Sequence, residues 1–400
     1  MRVTPVSSDT LSRDAEPARM SVLSGVSFSP PAPAPGAASF SEPALAIARA
    51  LTDLRAGRPV EISDGTTRLR LHAAEALPSE SLAALLAGAH VRAALSGPRL
   101  EAIGATEADD RSFPLAPDLT AGALLALAAA PDAALPVDSR PADALESGAL
   151  ALVKLAGFLP LVLLSPAGDD SVPQVALAAL AGFRAEVART LRPVSAGRVP
   201  MDAGPDTRLQ VFRDALGGTA VAVLVGRPDP SRPLPIRIHS SCLTGDVFGS
   251  RRCDCGAQLA LGLQRVRDLG GGAVLYLDQE GRGIGLAAKM RAYDLQDAGL
   301  DTVDANRMLG FHEDERDYTA AGVMLMALGW RRVTLLTNNP LKIAALEAEG
   351  IEVTGRLPVI TRPTAENRTY LATKASRSGH WLDQPGRDVT RPGDHLTLAK

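Results

Sequence analysis

Cys242-Leu243-Thr244-Gly245-Asp246 and, after five intervening residues, Arg252-Cys253-Asp254-Cys255-Gly256 hold every cysteine of this 400-residue chain. A chain that places all its thiols within 14 positions is building one site. Three soft sulfur ligands suit Zn²⁺, and three protein ligands leave a fourth vertex for water, the mark of a catalytic rather than a structural ion. Water bound there can lose a proton near neutral pH. Cys242, Cys253 and Cys255 are therefore the expected ligands of one zinc ion per chain. His239, three residues before Cys242, is the side chain that would close the site into a four-ligand structural centre. Merely buried cysteines would be scattered, and a disulfide would leave one cysteine over.

The pattern around the cysteines is that of a mixed sheet. Leu209–Phe212, Ala220–Val225 and Ile236–Ile238 read as strands joined like a meander, with Gly217-Gly218 and a Pro-rich turn between them. A helix from Ala257 carries Leu259, Leu263 and Val266 on one face, and Gly270-Gly271-Gly272 stops it. Then come a buried strand Ala273–Leu277, a glycine loop Gln279–Gly285, a helix Leu286–Ala298, a helix Tyr318–Leu328, a strand Val333–Thr337 and a helix Lys342–Glu349. Upstream, residues 41–203 alternate Ala/Leu-rich helical patterns with short apolar runs such as Leu161–Leu164, an α/β signature. Their first helix, near Pro43, has Leu45, Ala48, Leu51 and Leu54 in helical spacing, with Gly57 to end it. The chain thus reads as an α/β (α+β) protein of two domains. The N-terminal one is α/β; the C-terminal one is a mixed sheet whose later strands lead into βα units. Residues 1–40 form a Pro/Ala-rich leader expected to be disordered, 41–203 and 204–382 the two domains, and 383–400 a flexible tail.

Composition narrows the function. A 46% hydrophobic content allows each domain its own core, and a net charge of −3 gives no basic surface for nucleic acid or anionic lipid. No apolar run is long enough to span a bilayer. Few thiols and no export signal place the protein in the cytoplasm.

Three further segments carry chemistry. In Gln279-Glu280-Gly281-Arg282-Gly283-Ile284-Gly285, glycines before a helix let backbone N–H groups approach phosphate, and Arg282 is a bidentate phosphate ligand by type. Glu280 could accept the N1–H and exocyclic amine of a guanine. His312-Glu313-Asp314-Glu315-Arg316-Asp317 is either an acid–arginine pair of a site or a solvated helix start. Thr337-Asn338-Asn339-Pro340 with Lys342 lies at a strand end, where α/β sheets place ligands, or is a capped turn.

Together with the cysteines these segments resemble the GTP cyclohydrolase II family over residues 207–382, about 44% of the chain. The matching runs are Arg237-Ile238-His239-Ser240, the two cysteine segments, Gln279-Glu280-Gly281-Arg282, Arg291-Ala292-Tyr293, Asp314-Glu315-Arg316-Asp317 and Leu335-Leu336-Thr337-Asn338-Asn339-Pro340. The resemblance implies zinc-dependent hydrolysis of GTP to a diaminopyrimidine ribosyl phosphate, formate and pyrophosphate, the first step of riboflavin synthesis. A zinc-activated hydroxide would open the guanine at C8. Arg316 would act at the α-phosphate as nucleophile or as a transition-state clamp, with Asp314 as its proton acceptor and Tyr293 near the zinc. GTP contacts would come from Arg237, Ile238, His239, Ser240, Ser241, Gln258, Glu280, Gly281, Arg282, Thr302, Thr337 and Lys342. Mg²⁺ would accompany the triphosphate, and a homodimer is expected.

Two positions depart from the family pattern. Ser241 stands where Glu usually precedes the first zinc cysteine, and Asp278 stands where Arg usually precedes the Gln-Glu-Gly-Arg run. A carboxylate ~6 Å from the triphosphate would cost roughly 3 kcal/mol at an effective dielectric constant near 20. That would weaken GTP binding about a hundredfold or mark a changed substrate, for instance in pyrimidine breakdown; turned away, Asp278 would be harmless. A third reading is a non-catalytic nucleotide-binding regulator. The front domain resembles dihydroxybutanone-phosphate synthase through Ala50–Val60 and Leu155-Ala156-Gly157-Phe158. Its loop Ser63-Asp64-Gly65-Thr66-Thr67-Arg68 lacks the acidic cluster of that family, and Glu146-Ser147-Gly148-Ala149 lacks the His-Thr pair, which implies a catalytically dead domain. His72 and His90 are expected to be surface or packing residues.

Overall fold

The structure, a computed structural model, describes residues 40–381 apart from 89, 169–171, 205, 230 and 378. The expected leader, but for Phe40, and the expected tail lie outside these residues. Two seven-stranded sheets organise them. The front sheet is built from β1 Val60–Ser63, β2 Arg68–Ala73, β3 Arg92–Leu95, β4 Arg111–Pro114, β5 Arg140–Pro141, β6 Leu161–Pro166 and β7 Gln174–Ala176. The back sheet is built from β8 Arg192–Arg198, β9 Thr207–Arg213, β10 Thr219–Gly226, β11 Leu234–Ser240, β12 Gly271–Leu277, β13 Arg332–Leu336 and β14 Glu352–Leu357. The front helices are α1 Glu42–Arg55, α2 Ser79–Leu86, α3 Gly97–Ala102, α4 Ala121–Ala129, α5 Ala144–Leu155 and α6 Phe183–Arg189. The back helices are α7 Cys255–Asp268, α8 Gly285–Asp297, α9 Thr302–Met308, α10 Thr319–Ala327, α11 Pro340–Ala348 and α12 Arg368–Ser376. The chain is an α+β protein with two mixed sheets.

Local chemistry sets the helix ends. Ser41 caps α1 by accepting from the Ala44 N–H, and Gly57 leaves it at φ +72°. The buried face of α1 is Ala44, Ile47, Ala50, Leu51 and Leu54; Leu51 and Leu54 are as read in the sequence, while Leu45 and Ala48 are half-buried at its margin. Asp143 and Glu146 form a reciprocal capping box at the start of α5. No helix begins in His312–Asp317; the helix read from Tyr318 starts after that segment, with Tyr318 as its cap residue.

The back sheet runs β14-β13-β11-β12-β10-β9-β8. β9 and β10 pair antiparallel as expected, but the meander stops there. β11 lies parallel to β12 and β13, and β12 separates it from β10. The reason is α7, which carries the chain from β11 over the sheet to β12, a crossover that only a parallel pair needs. β8 adds an edge strand from Arg192 onward, ahead of the expected boundary at residue 204, because its backbone pairs with β9. The parallel strands β11, β12 and β13 end just before Ser241-Cys242, Asp278-Gln279 and Thr337, so the motifs collect at one sheet edge.

Alternation in β6 shows how the halves join. Val162 and Leu164 enter a core closed by α1, α5 and α6. Leu161 and Leu163 enter another that contains Ile284, Ala288, Ala292 and Leu295 at and along α8, and Ala305, Met308 and Leu309 around α9. The two halves thus share one apolar core. Arg99 stitches it together. Fully buried, it donates to the carbonyls of Leu127 (2.9 Å), Ala130 (2.6 Å) and Met308 (2.8 Å), tying the ends of α4 and α9. Burial lowers its pKa to about 10, so it stays charged at neutral pH. Arg99→Ala leaves these carbonyls unpaired in a dry core and is expected to cost about 3 kcal/mol in a denaturant unfolding curve.

Candidate metal centre and anion cleft

Cys242 lies two residues past β11, and Cys255 opens α7, whose N-terminal dipole favours a thiolate. The three sulfurs lie within 4.8 Å of one another, and Cys242 Sγ is 3.7 Å from Cys253 Sγ. A disulfide needs about 2.05 Å. A tetrahedral ion with Zn–S bonds of about 2.3 Å needs sulfurs about 3.8 Å apart, so the donor set fits zinc. Gly245 shows how closely the nest is wrapped. A Cβ there would stand 2.8 Å from Cys253 Sγ and 3.1 Å from Cys242 Sγ. Hydrogen bonds from Cys253 and Cys255 hold the Cys242 thiol far below its ordinary value, and donating those bonds, with burial, holds the other two above theirs. Such a trio becomes fully anionic only around a cation.

His239 is not the fourth ligand. Its Nε2 is 3.1 Å from Asp246 Oδ2, its ring stacks on Tyr276 at 5.5 Å, and Asp246 also accepts from the Cys242 N–H and the Tyr276 hydroxyl. Burial pushes the His239 pKa down, against the pull of Asp246. Among the described residues the three cysteines alone form a group able to hold a metal ion.

One cleft is lined by all three cysteines, Ser240, Ser241, Glu280, Gly281, Arg282, Tyr293, Thr302 and Arg316. Sequence reasoning missed Lys289 and Tyr370, which line it too. Lys289 reaches Cys242 Sγ at 3.1 Å, Thr244 Oγ1 at 2.9 Å and Glu280 Oε1 at 2.7 Å. Burial opposes its charge, but Glu280 and Cys242 more than offset that and raise its pKa. Its signal was the i, i+4 spacing to Tyr293 on α8. Tyr370 sits on α12, which has no apolar stripe to betray it. Glu280 is drawn into the nest, since its other oxygen accepts from the Leu243 N–H at 2.7 Å. A guanine edge would have to share those oxygens.

Gly281 and Arg282 both adopt left-handed φ, +62° and +61°. For Arg282 that costs on the order of 1 kcal/mol, a strain typical of functional loops. Gly283 has no room for a side chain, because its Cβ would stand 2.8 Å from the Glu315 carbonyl. The loop is thereby pressed against the segment bearing Asp314 and Arg316. Asp314 receives the Arg316 Nε–H at 2.7 Å and a second bond from the same guanidinium. Burial disfavours the Arg316 charge, but Asp314 overcomes this and raises its pKa above the ordinary value. Asp314 stands behind Arg316, its own pKa lowered by that guanidinium against the upward push of burial.

The other expected contacts support the wall from behind. Arg237 donates to Gln258 Oε1 at 2.7 Å, and Gln258 bonds Asp254 between the two later cysteines. Lys374 of α12 also pairs with Asp254, at 3.1 Å. The Ile238 side chain is buried in the sheet core, and its carbonyl accepts from Lys342 Nζ at 2.7 Å. Burial, and then Arg316 and Arg237, push the Lys342 pKa well down. Thr337 Oγ1 accepts from the Asn339 N–H, capping the turn before α11.

Asp278 does not line the cleft. It faces a separate cavity with Arg184, Asp214 and Asp317, and Ser241 Oγ donates to it at 3.3 Å. The two departures from the family pattern therefore touch each other, through a Ser–Asp hydrogen bond. Ser241→Glu alone sets two carboxylates together, and Asp278→Arg alone breaks the bond. The double variant should recover about 0.5–1 kcal/mol relative to the sum of the singles in an unfolding double-mutant cycle.

Comparison with known proteins places the chain. Residues 192–358 match the family model for GTP cyclohydrolase II. A Xylella fastidiosa protein named GTP cyclohydrolase-2 is 42% identical over 364 residues, covering 86% of this chain and 90% of its own. The riboflavin biosynthesis protein RibBA of Porphyromonas gingivalis is 48% identical over 44% of each chain. A crystal structure of RibBX, a two-domain 3,4-dihydroxy-2-butanone 4-phosphate synthase from A. baumannii, covers 79% of this chain and 99% of its own at 15% identity, with a TM-score of 0.28 that is too low to equate the folds. With the thiol nest and anion cleft in place, and a relative matched along nearly its whole length, this chain belongs to the GTP cyclohydrolase II family.

Proposed function

We propose that the chain hydrolyses GTP to a diaminopyrimidine ribosyl phosphate, formate and pyrophosphate, as the committed step of riboflavin synthesis. The observation that carries this reading is that the three-cysteine nest opens into the same cleft as Arg282 and Arg316. Cys242, Cys253 and Cys255 would hold zinc, which would supply the Lewis acidity that makes water a nucleophile at neutral pH. The base would lie against the nest, with Tyr293 and Lys289 beside it. Burial raises the Tyr293 pKa, so its hydroxyl stays protonated and can donate to the purine ring. Arg282 and Arg316 would take the phosphates, and Mg²⁺ entering with the triphosphate would neutralise part of its charge.

Arg316 serves better as a clamp than as a nucleophile. A nucleophilic guanidinium must lose a proton, and the two bonds to Asp314 oppose that. Held this way it stabilises charge developing at the α-phosphate without reorganising. Asp314 fixes its orientation. The alternative substrate reading rested on Asp278, and a carboxylate turned into another cavity no longer supports it.

The front domain is proposed to be catalytically silent. Asp64 is consumed by its own turn, accepting from the Thr66 and Thr67 N–H groups, which lower its pKa to about 2. Glu146 is locked to Arg140 at 2.8 Å. His72 is a packing residue whose pKa burial lowers to about 4, and His90 is an exposed turn residue. Among the described residues no helix is long and apolar enough to cross a membrane. A cytoplasmic homodimer without nucleic-acid partners remains the proposed setting, consistent with three uncombined thiols.

Incubation with GTP, zinc and Mg²⁺ should release formate and pyrophosphate in equal amounts; turnover of another base but not GTP would refute the assignment. Cys253→Ser should lose both bound zinc and turnover, measured by metal analysis and formate release. Asp278→Arg should leave the KM for GTP within about twofold, whereas a carboxylate facing the triphosphate would change it roughly a hundredfold.

A further inference from the structure

Residues 311–318 carry Asp314 and Arg316 without a helix or strand of their own. A loop that must hold a guanidinium in place needs anchors, because a misplacement of about 1 Å can cost on the order of a hundredfold in rate. Two of those anchors come from the front domain. Lys154, near the end of α5, donates to Glu315 Oε1 at 2.6 Å. Arg184 of α6 donates to the Glu315 main-chain carbonyl at 2.6 Å. The same Oε1 accepts from the His312 N–H at 2.9 Å, closing the loop on itself. The Glu315 N–H donates to the Arg282 carbonyl at 2.9 Å. Glu315 is thus a junction between the front domain, the strained phosphate loop and the residues on either side of it in sequence, Asp314 and Arg316. The Lys154 and Glu315 side chains are 18% and 13% exposed, sheltered enough for the pair to outweigh an ordinary surface ion pair.

We propose that Lys154 and Arg184 are positioning residues for GTP hydrolysis: through Glu315 the front domain sets Arg316 against the phosphates. This rests on the reaction proposed above. The front domain then contributes no chemistry but completes the geometry of the neighbouring site.

The test uses the full-length, zinc-loaded protein. Lys154→Met and Arg184→Met should keep wild-type zinc content, lose no more than a few degrees of thermal midpoint so that they stay folded at the assay temperature, and bind a non-hydrolysable GTP analogue within about threefold. Their kcat should fall roughly tenfold or more, and Lys154→Arg should restore most of it. Arg307→Ala breaks an exposed 3.5 Å contact with Glu101 between the same two halves and does not touch the loop; it should leave kcat and KM unchanged. Amide hydrogen exchange across 312–316 should speed up about tenfold in Lys154→Met, a readout that holds whatever base is turned over. Wild-type kcat and exchange in both Met variants would overturn the proposal, as would losses that merely track zinc or melting point, or equal damage from Arg307→Ala. Should Lys154→Met not fold, Glu315→Gln removes the charge that Lys154 holds while keeping both backbone bonds, and is read in the same way. A wild-type protein inert towards GTP would instead count against the reaction, and loop exchange would still decide the anchoring.

Discussion

Three sulfurs confined within 4.8 Å set the terms for everything around them. Their negative charges cannot coexist at that distance in a partly buried site without a cation. The surroundings are built to that constraint. Gly245 removes a side chain so that the sulfurs can close, Lys289 lends a fixed positive charge to Cys242, and α7 points its N-terminus at Cys255. Asp254, between two of the ligands, would add a fourth negative charge, and it is answered by Lys374 and by the amide of Gln258. Asp246 similarly holds the first ligand's backbone, together with His239 and Tyr276. These side chains orient the ligands rather than bind the ion, which is how metal sites are ordinarily stiffened.

The second charge problem lies across the cleft. Arg282 and Arg316 line the cleft beside Glu313 and Asp314, and Lys342 stands behind them with its Nζ on the Ile238 carbonyl. Coulomb repulsion from Arg316 and Arg237 adds to burial in depressing the Lys342 pKa. Like charges held this close repel one another, and an anionic ligand would relieve that repulsion. That arrangement agrees with the nucleotide proposed above as the ligand.

Much of this was legible in the sequence, for identifiable reasons. Zinc ligands are read from rare residues at fixed spacing, and the glycine loop from residues that no ordinary turn requires together. Helices with caps, such as α1 and α11, announced themselves. What stayed hidden depends on contacts between distant segments. The insertion of β12 between β10 and β11 follows from a crossover, which strand patterns cannot distinguish from a meander. α12 lacks an apolar face, so periodicity could not find it or Tyr370. The direction in which Asp278 points is a property of the strand end. A single sequence showed two unusual residues at 241 and 278 but not that they touch.

The front domain's retention follows from α8. One stripe of that helix, with Ala288, Ala292 and Leu295, is buried in the front core, while the neighbouring stripe presents Lys289 and Tyr293 to the thiols. Rows at i and i+4 adjoin on a helix, so the helix is a wall shared between two compartments. Removing the front half would expose the apolar stripe, at roughly 2 kcal/mol for Leu295 alone, and would release the wall that holds Lys289. The front domain, proposed above to be catalytically silent, is in any case tied to the back one by this packing. Asp64 and Glu146 are occupied by their own turn and by Arg140, whereas Lys154 and the apolar residues facing α8 and α9 make contacts that reach the back domain.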